Sequence, residues 1–267
     1  MPHEAAISTA VETAKNAAKR AGAILLEMRG LVNPQEKAPA DLVTEADIAS
    51  QRAILEIVNE SCPDFAFLGE EDLGIDQEMD AEFCWIVDPL DGTTNYVHGL
   101  ENYCVSIGLR QGDKIVAGII YDPNRDLLYS AILGGGAYQE SGNSSERLNT
   151  SRVTNLDQAL VAASFSARVP RESPEIRRFI EVLVRCQALR RLGSAALNMC
   201  FVAAGKLDAY WATSVKAWDV AAGHLIVQEA GGIVTDLHGQ KFDLSDPKVV
   251  AAATPELQHE LASVLRM

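Results

Sequence analysis

The segment Trp85-Ile-Val-Asp-Pro-Leu-Asp-Gly-Thr-Thr-Asn95 constrains this chain more than any other. Trp85, Ile86 and Val87 favour a buried strand, and Pro89 and Gly92 demand a turn just beyond it, so Asp88 and Asp91 arrive together at a strand tip. No Lys or Arg stands beside them in the sequence. A lone Asp-x-x-Asp reads as a capped turn, because Asp is common at turns and caps. The apolar run that delivers this pair is what raises it to a candidate cation site.

The pattern recurs twice. Phe65-Ala-Phe-Leu68 leads into Gly69-Glu70-Glu71-Asp72, the start of a stretch, 70–82, with seven acids and no base, which alone reads as a solvated charge run. Trp218-Asp219 opens an apolar helix that runs to Gly231-Gly232, where the acid also suits a helix cap. Every candidate ligand is an oxygen. Such donors without His or Cys suit Mg2+ or Mn2+ rather than Zn2+, and Mg2+ keeps waters that substrate phosphate can replace. Phosphoryl transfer to water is the chemistry this points to.

Periodicity predicts helices over 5–29, with Ile7, Val11, Ala14, Ala18, Ala21 and Leu25 on one face, and over 45–59, opened by the capping box Thr44-Glu-Ala-Asp47. Strands at Tyr103–Arg110, Lys114–Tyr121 and Leu127–Leu133, joined by Gln-Gly-Asp and Asp-Pro-Asn-Arg turns, form an antiparallel meander. A strand at Leu160–Ser164, a helix from Ser173-Pro174 to Ala188 and a helix over Ala195–Ala204 begin an alternation that continues to the end. The result is a layered α and β protein. No repeat, linker or low-complexity tract interrupts it.

The charge of 23 basic against 37 acidic residues, −14 net, disfavours nucleic acid and acidic membranes as partners. Arg185, Arg190 and Arg191, around a helix end, read as solvated. No apolar run approaches a membrane span and the N-terminal residues lack signal-peptide regions, so a cytoplasmic location is expected. Cys62, Cys84, Cys104, Cys186 and Cys200, odd in number and without a C-x-x-C pair, are expected as reduced, mostly buried thiols. His98, near the first motif but without a partner in sight, reads as structural.

Together, Gly69-Glu-Glu71 with WIVDPLDGTTNYVHG at 85–99, and WDVAAGHLIVQEAGG at 218–232, resemble the inositol monophosphatase family. DLVTEAD at 41–47 and GSAALNMC at 193–200 extend the likeness over nearly the whole chain. The resemblance implies a five-layer αβαβα sandwich of the kind shared with fructose-1,6-bisphosphatase, one domain over 1–267 with halves of roughly 1–150 and 151–267, and a homodimer. It implies a lithium-sensitive, Mg2+-dependent phosphate monoester hydrolase, with two or three ions, Mn2+ as the alternative, and no covalent intermediate. Metal ligands then fall on Glu70, Asp88, the Leu90 carbonyl, Asp91 and Asp219. Thr93 and Glu70 would position the attacking water, and Asp47 would hold Thr93. Asp91, Gly92, Thr93, Gly193, Ser194, Ala195 and Asp219 would meet the substrate. Ala212 departs from the pattern, since the family's sugar-binding glutamate occupies this place, seven residues before Asp219; Thr213 or Ser214 is the nearest substitute. That opens histidinol phosphate, a sugar bisphosphate or a nucleotide 3'-phosphate as substrates beside inositol 1-phosphate.

Two rivals stand against this reading. A haloacid dehalogenase-type enzyme uses an Asp nucleophile in D-x-D-G-T, but Asp88 and Asp91 are three apart. A regulatory binding protein tied to transcription or ribosome assembly would use the same fold without the chemistry.

Overall fold

Ala10, Ala14, Ala17, Ala18, Ala21 and Leu25 recur at helical spacing and are fully buried along α1 (Pro2–Met28). The structure, a computed structural model, describes residues 2–38, 41–73 and 81–266. A short hairpin, β1 (Gln35–Ala38) and β2 (Asp41–Val43), links α1 to α2 (Glu45–Ser61). Then follow β3 (Ala66–Gly69), β4 (Phe83–Asp91), the short helix α3 (Thr93–Val97), β5 (Cys104–Gln111), β6 (Lys114–Asp122), β7 (Leu127–Ile132), β8 (Gly136–Ser141) and β9 (Ser144–Arg147). The second half comprises β10 (Leu160–Ser164), α4 (Pro174–Leu183), β11 (Ala188–Arg190), α5 (Ala195–Ala203), β12 (Ala209–Ala212), α6 (Ala217–Glu229), β13 (Ile233–Thr235), β14 (Val249–Ala252) and α7 (Pro255–Leu265).

Strands β3 to β9 make one sheet in chain order, with β3 parallel to β4 and every later pair antiparallel. The second sheet runs β11-β10-β12-β14-β13. Helices α1 and α2 pack on each other and on the large sheet, α5 and α6 lie between the two sheets, and α4 and α7 cover the small sheet from outside. These are the five layers αβαβα. One apolar core fills each interface, and the core between the sheets joins Ile86, Cys104 and Ile120 to residues of α5, α6, β12 and β14.

A helix between two sheets is covered on most of its circumference, so α6 buries Val220, Ala221, Ala222, Gly223, Leu225, Ile226 and Val227 and has no broad polar stripe. Close approach to the sheet requires glycine. A Cβ on Gly118 of β6 would meet the Ala222 carbonyl oxygen at 2.6 Å, and one on Gly108 of β5 would meet Ala221 Cβ at 3.0 Å.

Several expectations are corrected. The chain does not turn at Pro89: β4 continues to Asp91 through a register shift, and the turn waits for Gly92, at φ +100°. The helix from Pro174 stops at Leu183, not Ala188, because Ala188–Arg190 pairs with the open edge of β10; tertiary pairing overrides local propensity there. The sheet gains β8 and β9, which lack apolar alternation because β9 is exposed throughout. Arg191 is not simply solvated: its guanidinium donates to the Phe165 carbonyl at 2.7 Å and lies over the Phe165 ring. Residues 74–80 of the acidic stretch lie outside the described residues, and Glu71 next to it is buried. Cys62, Cys84, Cys104 and Cys200 are buried as expected. Among the described residues no helix is long and apolar enough to cross a membrane.

Gly118→Ala tests the packing of α6 on β6. The added methyl meets backbone that cannot swing aside, and a loss of about 2 kcal/mol is expected in urea unfolding; unchanged stability would contradict the close approach.

Candidate active site

In a regular strand, residues three apart face opposite sides of the sheet. Here Asp88 pairs with Ser106 and Asp91 with Cys104, so β4 advances three residues while β5 advances two. The extra residue is a β-bulge, and it turns both carboxylates to one face. Pro89 fits this position, since a bulge leaves a residue out of the ladder and proline has no N–H to give. From the helical side, Ser50 Oγ donates to the Pro89 carbonyl at 2.8 Å.

Asp91 points at the start of α5. Both of its oxygens accept: Oδ1 from Ala195 N at 3.1 Å, Oδ2 from Ala196 N at 2.7 Å, from the Ser194 hydroxyl, and weakly from Cys104 Sγ. Ser194 also accepts from Leu197 N at 3.2 Å as the helix cap. Two N–H groups of the first turn of α5, those of Ala195 and Ala196, are thus directed to a carboxylate. The turn itself rests on Asn95, whose amide donates to the carbonyls of Leu192 and Asn102 at 2.8 and 2.7 Å. Gly193, at φ +85°, leaves no room beside Asn95 for a Cβ, and one at Gly92 would lie 3.2 Å from the Gly193 carbonyl oxygen.

Asp47 is fully buried at the start of α2. Its Oδ2 closes the capping box with Thr44, accepting from the backbone N–H at 2.8 Å and the hydroxyl at 2.7 Å. Its Oδ1 lies 3.2 Å from the Thr93 hydroxyl, which is also 3.1 Å from the Leu90 carbonyl. Capping and site building therefore coexist in one carboxylate. Glu70 leaves β3 with its N–H on the Val87 carbonyl at 3.1 Å, and Gln51 of α2 clamps the next residue through both backbone groups of Glu71.

Asp219 sits in the first turn of α6, where its Oδ2 accepts from Lys216 N at 2.7 Å, and it is a hydrogen-bond partner of Asp88. Burial and then the charges of Glu70, Asp91 and Asp219 hold the Asp88 carboxyl well above the usual range. Burial and Asp91 push Asp219 up to about 8. Burial raises Asp91 too, while donation from Ser194, Ala196 and Ala195 pulls it part of the way back. Burial is the largest influence on all three acids, neighbouring acids add to it at Asp88 and Asp219, and no cationic side chain is among the largest influences. Close carboxylates in a buried site cannot all ionise without a compensating cation. Among the described residues no three Asp, Glu, His or Cys side chains close on one point as a finished ion cage. Their oxygens are turned instead to backbone donors at Leu90, Ala195, Ala196 and Lys216. The donor set is nonetheless all oxygen, the kind that suits a hard divalent ion.

The four acids from three distant stretches meet, with Thr93, Asp47, Gly92, Gly193, Ser194 and Ala195 around them. Gln51, Ser50, Asn95, Asn102 and Cys104 brace the site and were not singled out from sequence. Their bonds reach backbone or side chains far along the chain, and no local pattern marks them. His98 lies exposed at the end of α3.

An αβαβα sandwich whose strand bulge, strand end and helix starts gather acids around a small-residue turn defines the class of this molecule. The inositol monophosphatase family model matches residues 7–267, and the chain belongs to that family. It is 38% identical over 254 residues to the Nus factor SuhB of Pasteurella multocida, covering 94% of this chain and 93% of that one. It is 39% identical over 262 residues to an inositol-1-monophosphatase of Synechocystis, covering 97% and 89%. The crystal structure of the extragenic suppressor protein suhB from Bartonella henselae superposes with TM-score 0.89 at 35% identity, over 96% of this chain and 98% of that one.

Ser194→Ala removes a donor to Asp91 and the cap of α5 together. A loss of about 1–2 kcal/mol in urea unfolding is expected; no loss would mean that the bond contributes nothing.

Proposed function

We propose that this chain is a cytoplasmic, Mg2+-dependent phosphate monoester hydrolase of the inositol-1-monophosphatase type, working by direct attack of water on phosphorus. The observation that carries the reading is the elevation of Asp88, Asp91 and Asp219 by burial, reinforced at Asp88 and Asp219 by the charges of Asp91 and Glu70, which has its remedy in bound divalent cations. Glu70, Asp88, the Leu90 carbonyl, Asp91 and Asp219 would hold two or three ions. Bound there, magnesium would lower the pKa of a water and neutralise charge on the phosphate and leaving oxygen.

The protein's own groups supply orientation and proton handling. Glu70 would take one proton from the attacking water as its oxygen bonds to phosphorus, and Thr93 Oγ would accept a hydrogen bond from that water while donating its own to Asp47, 3.2 Å away. The ester oxygen released as its bond to phosphorus breaks would take a proton from solvent water. Asp47 is kept from rotating by its two bonds to Thr44, which fixes it as an acceptor for the Thr93 hydroxyl beside the Leu90 carbonyl. Gly193, Ser194 and Ala195 would meet the substrate together with Asp91, Gly92, Thr93 and Asp219, the Ala195 N–H being held by Asp91 before substrate binds. Lithium inhibition follows from the same site.

Specificity rests on the end of β12. Ala212 is fully buried and offers no acceptor to a polyol, and the Thr213 hydroxyl next to it is buried without a partner among the described residues. Inositol 1-phosphate is the first substrate, with histidinol phosphate, a sugar bisphosphate and a nucleotide 3'-phosphate as the alternatives. The assembly is a homodimer. Ile180, Leu183 and Val184, on and just after α4, are 48, 48 and 68% exposed, which favours a covered face. The residues work as one domain over 1–267, because both halves contribute to the core around α5 and α6.

A second reading has one support, the Nus factor name of the Pasteurella relative: the chain would act as a binding protein of the transcription machinery. Asp91→Asn and Glu70→Gln decide between the two. Each should keep the fold and lose at least about a hundredfold in kcat on inositol 1-phosphate with saturating Mg2+. Turnover near that of the wild type in both variants, or none by the wild type on any of the four ester classes, would sink the hydrolase reading.

A further inference from the structure

Helix α6 leaves the candidate active site and runs beside a second hollow. A cavity of about 830 Å³ lies between α6, the large sheet near the β5–β6 turn and the segment 241–245. Its volume is that of a small-molecule site. Ile86, Ile115, Val234 and Phe242 give it a buried apolar lining, and Leu133, half exposed, stands at its edge.

Two features distinguish it from an empty packing fault. First, His224 of α6 lines it and packs its ring against Phe242, centroids 4.8 Å apart, while its Nδ1 is buried without a hydrogen-bond partner among the described residues. Burial pushes His224 down to about 4, so the imidazole is neutral and presents an uncharged aromatic wall. Second, Arg110, Lys114 and Lys241 line the cavity together with Asp113 and Asp243, one net positive charge in a chain of net −14. Arg110 already donates to the Gly112 carbonyl, and Asp243 accepts from Ser245 and also feels the charge of Lys241, so the exposed Lys114, with Lys241 beside it, is the cation an incoming group meets.

We propose that this cavity binds a small amphipathic monoanion, an aromatic or aliphatic body carrying one acidic head. The body lies against Phe242, Ile86, Ile115 and the His224 ring, and the head is held by Lys114 and Lys241. A phosphate ester fits poorly, since a dianion exceeds the single net charge of the rim and lacks the apolar body for the floor. This inference is independent of the hydrolase reading.

The test is a fluorescence titration of the full chain with 1-anilinonaphthalene-8-sulfonate, a monoanion that brightens in apolar surroundings, followed by displacement with 4-phenylbutyrate. One saturable, displaceable site is expected. Leu133→Trp, which fills the edge from an exposed position, and the double variant Lys114→Glu/Lys241→Glu should each weaken binding about tenfold or more. Leu183→Ser, on the α4 face assigned above to the dimer contact, checks that the dye does not sit there and should leave cavity binding unchanged. Circular dichroism shows that each variant is folded. A titration that does not saturate, full binding in folded cavity variants, or a loss that follows Leu183→Ser instead would overturn the proposal.

Discussion

The site depends on one extra residue in β4. Without the bulge between Asp88 and Asp91, the two carboxylates would face opposite sides of the large sheet, one toward α2 and the other toward α5. With it, both meet Asp219 of α6 and Glu70 at the end of β3. The cost of gathering these acids is spread over donors that the layers bring in: Leu90 N for Asp88, the start of α5 for Asp91, and Lys216 N for Asp219. None of those donors fully offsets the burial of the three carboxyls, nor the repulsion that adds to it at Asp88 and Asp219, which is why they stand above the ordinary range.

Each layer therefore has a share in the chemistry. Helix α2 supplies Asp47 to Thr93, Ser50 to the bulge and Gln51 to the strap beyond Glu70. The middle layer supplies two helix starts, with Asp91 against one and Asp219 within the other. Glycines at 108 and 118 let α6 lie close enough to the sheet for Asp219 to reach Asp88.

Much of this was legible in the residues, for reasons that differ by element. The acids could be read because a buried strand ending in uncompensated carboxylates is costly unless it has a use. The meander could be read because β5 to β7 carry apolar runs punctuated by turn residues. The bulge was taken for a turn, since proline and glycine signal both and only the pairing with Ser106 and Cys104 tells them apart. The early end of α4 depends on an open edge of β10, which local sequence does not encode. Gln51 and Asn95 act on groups 20 and 97 positions away, so their roles appear only when the chain is folded. Likeness to a family, rather than spacing, supplied Leu90 and the five layers.

The most direct measurement is the anomalous diffraction of crystals soaked in Mn2+, recorded at a wavelength where manganese scatters strongly. Peaks enclosed by Glu70, Asp88, Asp91, Asp219 and the Leu90 carbonyl are the predicted result. A map with no peak among these oxygens at saturating Mn2+, or with ions bound only elsewhere, would contradict the claim that the bulged strand and the two helix starts build a cation site.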